Sequence, residues 1–137
     1  MAKILLDTNI IIHREATKVV NQDIGVLFNW IDKLKYLKYI HPLTVEELNK
    51  NKDSKTVETM NIKIGSYNLI KNLAPTSEVL ETVSRKVDVN VNDRNDTLLL
   101  NEILCERVDI LISEDKKIHT KAELLGISDK VFKIEQF

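Results

Sequence analysis

The chain carries four acidic residues whose spacing would bring them to one site: Asp7, Glu47, Asp96 and Asp115. Asp7 follows the apolar run Lys3–Leu6, and Asp115 comes just after the run Val108–Ser113. Glu47 and Asp96 lie where "TVEEL" and "NDTLLL" open apolar helical patterns. In an open α/β sheet, ligands bind beyond the carboxyl ends of the strands. The sequence therefore predicts a cluster of carboxylates at that edge.

Such a cluster has a characteristic chemistry. Each close pair of carboxylates repels by about 4 kcal/mol at an effective dielectric of about 20, so protons or a divalent cation must neutralise the site. Oxygen ligands without histidine or cysteine favour Mg²⁺ or Mn²⁺, and such ions activate water for phosphodiester hydrolysis. Asp93, one helical turn before Asp96, is a candidate additional ligand or a residue that supports the ligands.

Each acid also has a structural interpretation. Thr44 and Glu47 have the spacing of a capping box, and so have Asp93 and Asp96, so both pairs could serve only to satisfy backbone N–H groups. Asp115 is a candidate N-cap, and the acid after the first strand is a candidate turn residue. The same acids could cap helices and also bind a metal ion, because helices that start at this edge of the sheet direct their first turns toward the site.

Apolar strands alternate with amphipathic helices along the chain, which predicts an α/β layer fold with a parallel sheet and right-handed crossovers. The predicted strands are Lys3–Leu6, Tyr36–His41, Val108–Ser113 and Val131–Phe137. The predicted helices begin after Asp7 and near Asp23, Thr44, Asp53, Ser77, Asp93 and Lys117, and Gly126 closes the last.

Length and composition are those of a single globular domain spanning residues 1–137. The chain has neither an apolar run of about 18 residues nor a signal-peptide pattern, which predicts a cytoplasmic protein without a membrane partner. The lone Cys105 is expected to be a buried core thiol. The net charge is −1, and setting the four acids aside leaves +3. Charge balance therefore does not exclude a nucleic-acid partner.

Over essentially its full length the chain resembles the PIN-domain nucleases. The matching segments are "ILLDTNIII", "TVEEL", "NDTLLL" and "LISED" followed by a helix and "LLGI". The resemblance implies a three-layer α/β/α fold whose mostly parallel sheet has strand order 3-2-1-4-5. It also implies a site that uses Mg²⁺ or Mn²⁺ and usually cuts RNA.

The resemblance further implies roles for individual residues. It makes Asp7, Glu47, Asp96 and Asp115 the acidic ligands and catalytic residues. Asn9 and Ser113 match positions that support the site through hydrogen bonds. Glu46 competes with Glu47, which directly precedes leucine as in the family pattern. Glu114 stands where the family more often has asparagine, so it adds a negative charge.

The implied activity is endoribonuclease cleavage that leaves a 5′-phosphate and a 3′-hydroxyl. The size suits a VapC-like toxin of a toxin–antitoxin pair, with an antitoxin protein as partner, and the family commonly dimerises. The alternative is a catalytically weak RNA- or protein-binding module at the N-terminus of a larger protein. A receiver-type domain fits poorly because it needs paired acids after the first strand. A haloacid-dehalogenase-type phosphatase fits poorly because Asn9 replaces its second aspartate.

Lysines near the predicted site are candidate RNA contacts: Lys50, Lys52, Lys55 and Lys116. Solvated helix faces explain such clusters equally well. No recognised RNA-binding module is present in the sequence, so a single-stranded substrate held in a groove is expected.

Overall fold

The computed structural model describes residues 2–15, 22–50 and 54–137. The strands are β1 (Lys3–Leu6), β2 (Leu37–Ile40), β3 (Asn68–Leu69), β4 (Ile110–Ile112) and β5 (Val131–Phe132). The helices in these ranges are α1 (Thr8–Glu15), α2 (Gln22–Lys33), α3 (Pro42–Asn49), α4 (Ser54–Ile64), α5 (Glu78–Val87), α6 (Val91–Leu104) and α7 (Lys116–Leu124). Short 3₁₀ turns span Ser128–Lys130 and Ile134–Gln136.

The five strands form one all-parallel sheet in the order β3-β2-β1-β4-β5. This confirms the predicted α/β class and the strand order that the family resemblance implied. Because β1 lies in the centre, it pairs with β2 on one side and with β4 on the other. Parallel neighbours end at the same edge, so the segments that follow β1, β2 and β4 meet there.

The alternating side chains of β1 divide the core into two layers. Ile4 and Leu6 pack with apolar residues of α1 to α4, whereas Leu5 packs with those of α5 to α7. All three side chains are fully buried, and each contributes about 1.5–3 kcal/mol relative to exposure. The strand is thus covered on both faces, as its continuous apolar run predicted.

Several element boundaries differ from the prediction. The expected strand Val131–Phe137 is only two residues long, because the chain turns at Lys133, whose N–H donates to Oε1 of Gln136. The sequence pattern missed β3, which consists of two exposed residues. Asp23 lies inside α2, which begins one residue earlier. Cys105 is exposed, contrary to expectation, because it follows the last residue of α6.

Two helices start earlier than predicted, and this changes where the acids lie. α3 begins at Pro42 with His41 as its N-cap, and α6 begins with Asn90 as its N-cap. Glu47 and Asp96 therefore lie in second turns, and the predicted capping box of Glu47 is not formed. Proline suits the first position because it has no N–H to satisfy.

Other local signals were correct. Ser77 caps α5 by accepting from the N–H of Leu80 over 3.2 Å. Gly126 follows α7 with φ of 74°, a left-handed conformation that glycine adopts without strain. Lys52 and Asp53 lie outside the described residues. Across the described ranges, every helix is too short or too polar to cross a bilayer.

Candidate functional site

Asp7 is held at the end of β1 by two hydrogen bonds. The Ser113 hydroxyl donates to its Oδ2 over 2.8 Å, and the Thr8 N–H donates to its Oδ1 over 2.7 Å. The side chain is buried. Burial raises the pKa of Asp7 above its ordinary value, while these two hydrogen bonds oppose the rise. The carboxylate is therefore oriented from both sides but has little contact with water.

Ser113 connects this carboxylate to a second acid. Its buried hydroxyl also accepts from the N–H of Asp115 over 3.1 Å. Asp115 in turn caps α7, because its Oδ1 accepts from the N–H of Lys117 over 2.8 Å. The predicted cap is thus present and uses only one of the two carboxylate oxygens. The hydrogen bond expected from Ser113 is also present, and its partner is Asp7.

The negative charges of the other three acids act on Asp96. It lies half-buried in the second turn of α6. Burial, followed by the negative charges of Asp7, Asp115 and Glu47, raises the pKa of Asp96 to about 7, and Lys121 opposes the rise. Because charges interact strongly only at short range in water and salt, four acids from four parts of the chain form one electrostatic cluster.

The start of α3 is fixed by polar contacts that the sequence did not reveal. Nδ1 of the buried His41 accepts from the N–H of Leu43 over 3.1 Å. Burial lowers the pKa of His41 to about 4, so the ring is neutral and can accept. The hydroxyls of Thr8 and Thr44 are hydrogen-bonded over 3.0 Å, which joins α1 to α3. These contacts set the direction of α3, and hence of Glu47.

Glu46 and Glu47 are distinguished by position. Glu46 is exposed, whereas Glu47 is half-buried. The charge of Glu47 raises the pKa of both Asp7 and Asp96. Glu47 is therefore the member of the pair whose charge acts on the other acids.

A buried lysine lies behind the cluster. Nζ of Lys121, which is only 3% exposed, donates to Oδ1 of Asp88 over 2.9 Å, to the carbonyl of Asp93 over 2.7 Å and to Oγ1 of Thr97 over 3.1 Å. Asp93 and Thr97 flank Asp96 along α6. Lys121 therefore fixes α7 against the part of α6 that carries Asp96.

Sequence reasoning did not identify this lysine, although a signal was present. Lys121 lies in the buried stripe of α7 with Ile118, Ala122 and Leu125, at the i, i+3, i+4, i+7 spacing of a core face. A lysine in such a stripe needs a buried partner, and Asp88 is that partner.

Asp93 acts as a helix-start residue. Its N–H donates to Oδ1 of the N-cap Asn90 over 2.9 Å, and its Oδ2 accepts from the N–H of Val89 over 3.0 Å. Its Oδ1 lies 3.6 Å from Nζ of Lys117. These contacts fix the start of α6, and a role of Asp93 as an additional ligand or as a support for the ligands stays a prediction.

The remaining predicted residues lie at the surface. The side chain of Asn9 is exposed, and among the residues that the structure describes no hydrogen bond joins it to the acids; the backbone and hydroxyl of Thr8 make the polar contacts there. Lys50 follows the last residue of α3, Lys55 lies in the first turn of α4 and Lys116 starts α7; all three are exposed.

The donor chemistry of the cluster suits a hard divalent cation, since it consists of four carboxylates without histidine or thiol ligands. Its repulsion is also of the kind that a cation relieves. Within residues 2–15, 22–50 and 54–137, however, no three His, Cys, Asp or Glu side chains are grouped closely enough to hold a metal ion. The described site is therefore an electrostatic cluster and not a preassembled coordination sphere.

Comparisons of the chain with protein families, with curated proteins and with solved structures each find no match. The resemblance to PIN-domain nucleases therefore rests on the sequence motifs alone.

Proposed function

We propose that the chain is a Mg²⁺- or Mn²⁺-dependent endoribonuclease of the PIN type. The observation that carries the proposal is that the Ser113 hydroxyl holds the carboxylate of Asp7 and the backbone of Asp115 together at the ends of β1 and β4. Burial and the charges of Asp7, Asp115 and Glu47 also raise the pKa of Asp96 to about 7. Natural proteins place interacting carboxylates in this way at functional sites, because structure alone gains nothing from their repulsion. The order of the four motifs along the chain supports the same proposal.

In the proposed site, Asp7, Glu47, Asp96 and Asp115 would hold the cation through carboxylate oxygens. When bound, the cation supplies an activated water and stabilises the negative charge that develops on the phosphate. The chain's own residues prepare the ligands for this role. Ser113 and the Thr8 N–H orient Asp7, and the cap at α7 orients Asp115.

Asp96 links the proposed activity to pH. A carboxylate must lose its proton to bind a cation. Because the pKa of Asp96 is about 7, cation affinity is expected to rise with pH through this region. Lys121 keeps the pKa of Asp96 from rising further, so its buried charge favours the form that binds the cation.

Two biological settings are compatible with this site. A toxin of a toxin–antitoxin pair would cleave single-stranded RNA and be neutralised by an antitoxin protein, and it would act in the cytoplasm, alone or as a homodimer. A catalytically weak binding module of a larger protein would bind RNA or protein without cutting it. Cleavage by the purified protein separates these two possibilities.

The test uses a labelled single-stranded RNA with Mn²⁺ or Mg²⁺, a chelator control and analysis of the product ends. We expect cleavage that leaves 5′-phosphates, and we expect Asp96→Asn and Asp115→Asn each to lower it by orders of magnitude while the fold is retained. Asp129→Asn, at an exposed aspartate in the turn before β5, is the matched control. Cleavage that persists in chelator, or in both site variants, would overturn the proposal. Intact RNA after incubation with folded wild type and Mn²⁺ would favour the binding module.

A further inference from the structure

A pocket of about 280 Å³ lies between the segment that joins α5 to α6 and the first turns of α7. Val87 and Val89 form an apolar part of its lining, and Lys116, Lys117 and Thr120 contribute from α7. Val89 is 88% exposed, so its apolar surface is accessible to a ligand. The volume is slightly below the usual range for small-molecule sites, roughly 300–1,000 Å³.

The pocket adjoins the acidic cluster on two sides. Lys116 directly follows Asp115 in the chain. Asp93, which also lines the pocket, precedes Asp96 by three residues of α6, or roughly 4.5 Å along the helix axis. A strand of nucleic acid whose phosphate lies at the acids would therefore pass the mouth of this pocket.

The charges around the pocket favour an anion. Lys121 also lines it but is neutralised by Asp88. Lys117 lies 3.6 Å from Asp93 and is 70% exposed, so this contact is weak. Lys116 is exposed and forms no ion pair with any residue that the structure describes. The mouth therefore offers at least one ammonium group that no side chain of the described chain neutralises.

We propose that this pocket receives one base of a single-stranded RNA, with Lys116 and Lys117 contacting the phosphates beside that base. This inference rests on the proposed function and adds the position of the RNA strand beside the cleavage site. A nucleotide combines a flat apolar base with an anionic phosphate, and the pocket presents an apolar wall and ammonium groups at one opening. An apolar peptide segment would instead leave the lysines unpaired.

The first test is binding of a short labelled single-stranded RNA without divalent cation, measured by fluorescence anisotropy over a series of salt concentrations. Lys116→Gln is expected to reduce the slope of log affinity against log salt by about 0.7, the value for one phosphate contact on a single strand. Lys33→Gln is the matched control, since Lys33 is an exposed lysine at the end of α2, before β2 begins at the opposite edge.

The second test separates the base from the phosphate. Thr120→Trp should fill the pocket and exclude the base, so that binding weakens severalfold with the salt slope unchanged. Val89→Ser should weaken binding in the same direction at a position too exposed to affect folding. Thr82→Trp is the matched control, because Thr82 is also exposed and, like Thr120, donates to the carbonyl four residues earlier in its helix.

An RNA that lacks its bases but keeps its phosphates completes the design. Wild type should bind it less tightly than intact RNA, and Thr120→Trp should bind the two about equally. If wild type binds both RNAs equally tightly, the pocket does not hold a base. The same conclusion follows if Thr120→Trp and Val89→Ser bind RNA as tightly as the Thr82→Trp control. If wild type cleaves RNA but these variants bind normally, only the pocket is wrong. If the pocket variants behave as expected but wild type cleaves no RNA, the proposed nuclease activity is wrong and the proposed base pocket stands.

Discussion

The hydroxyl of Ser113 donates to Oδ2 of Asp7 over 2.8 Å and thereby joins the ends of β4 and β1. The same hydroxyl accepts from the N–H of Asp115. One small buried side chain therefore orients two of the four acids, although these acids come from opposite ends of the chain. The importance of this hydroxyl can be measured.

Ser113→Ala should lower stability by about 1–3 kcal/mol at neutral pH, because Asp7 then keeps a buried oxygen without its donor. Loss of the hydrogen bond should also raise the pKa of Asp7 further, since that bond now opposes the rise. Urea unfolding at pH 7 measures the first effect. Ser128→Ala, at an exposed serine, is the control and should change stability by less than about 0.5 kcal/mol. Equal stability of the two variants would contradict the role assigned to Ser113.

The neighbouring glutamates of α3 give a second prediction. They diverge by about 100° around the helix axis, and Glu47 is the one whose charge reaches Asp7 and Asp96. Mn²⁺ should raise the melting temperature of wild type by binding the folded state. Glu47→Gln should reduce this rise, and Glu46→Gln, as the matched control, should preserve it. The opposite outcome would mean that the side chains of α3 are assigned one residue out of register.

The pH dependence of stability gives a third prediction, because Asp96 and His41 contribute to it in opposite directions. The pKa of Asp96 rises from 3.8 to about 7 on folding, so without cation its contribution is favourable at low pH and is lost as pH rises from about 4 to about 7. The pKa of His41 falls from 6.5 to about 4, so its contribution is present above about 6.5 and is lost as pH falls toward 4.

Two variants separate these contributions. Relative to wild type, Asp96→Asn should become more stable as pH increases from 4 to 7, because the variant does not lose the contribution that Asp96 loses over this range. His41→Asn keeps an N-cap side chain and should become less stable over the same range. Urea midpoints at several pH values, without divalent cation, provide the measurement. If the Asp96→Asn curve runs parallel to that of wild type throughout this window, Asp96 does not titrate there.

Lys121 gives a fourth prediction. Lys121→Met should cost about 3–5 kcal/mol, because it leaves the charge of Asp88 buried without its partner. The double variant Lys121→Met/Asp88→Asn should recover part of this loss, as a double-mutant cycle would show. Lys117→Met, on the exposed side of the same helix, should cost no more than about 1 kcal/mol. A loss in Lys121→Met no larger than in Lys117→Met would mean that the buried pair contributes little.

The features that the sequence predicted well are those with local causes. The buried run of β1, the Ser77 cap and the glycine after α7 each have a signal within a few residues. The four acids were assigned to the site by motif, and their role as metal ligands stays a prediction. β3 left no such signal, because its two exposed residues are ordered by pairing with β2, 29 residues away at Tyr39↔Asn68.

Features that depend on distant partners were missed for the same reason. The ion pair of Lys121 and Asp88 spans 33 residues, so neither residue alone indicates it. The start of α3 was misplaced because the side chain of His41, not that of Thr44, accepts the first N–H. α6 was predicted to begin near Asp93, which could itself have served as the cap. The residue that caps α6 is Asn90, three positions earlier. In each case a tertiary contact or a competing cap decided the outcome.

The central position of β1 has a consequence for the order of events in folding. β1, β2 and β3 can pair as soon as the first half of the chain is present, and they bring only Asp7 and Glu47 together. Asp96 and Asp115 arrive when β4 docks on the other side of β1. We expect β4 to dock after β1, β2 and β3 have paired, so that charge repulsion, and any cation that relieves it, acts mainly on the last stage of assembly. Interactions that form after the transition state slow unfolding and leave the folding rate almost unchanged. A bound cation would then extend the lifetime of the folded protein without helping it to fold.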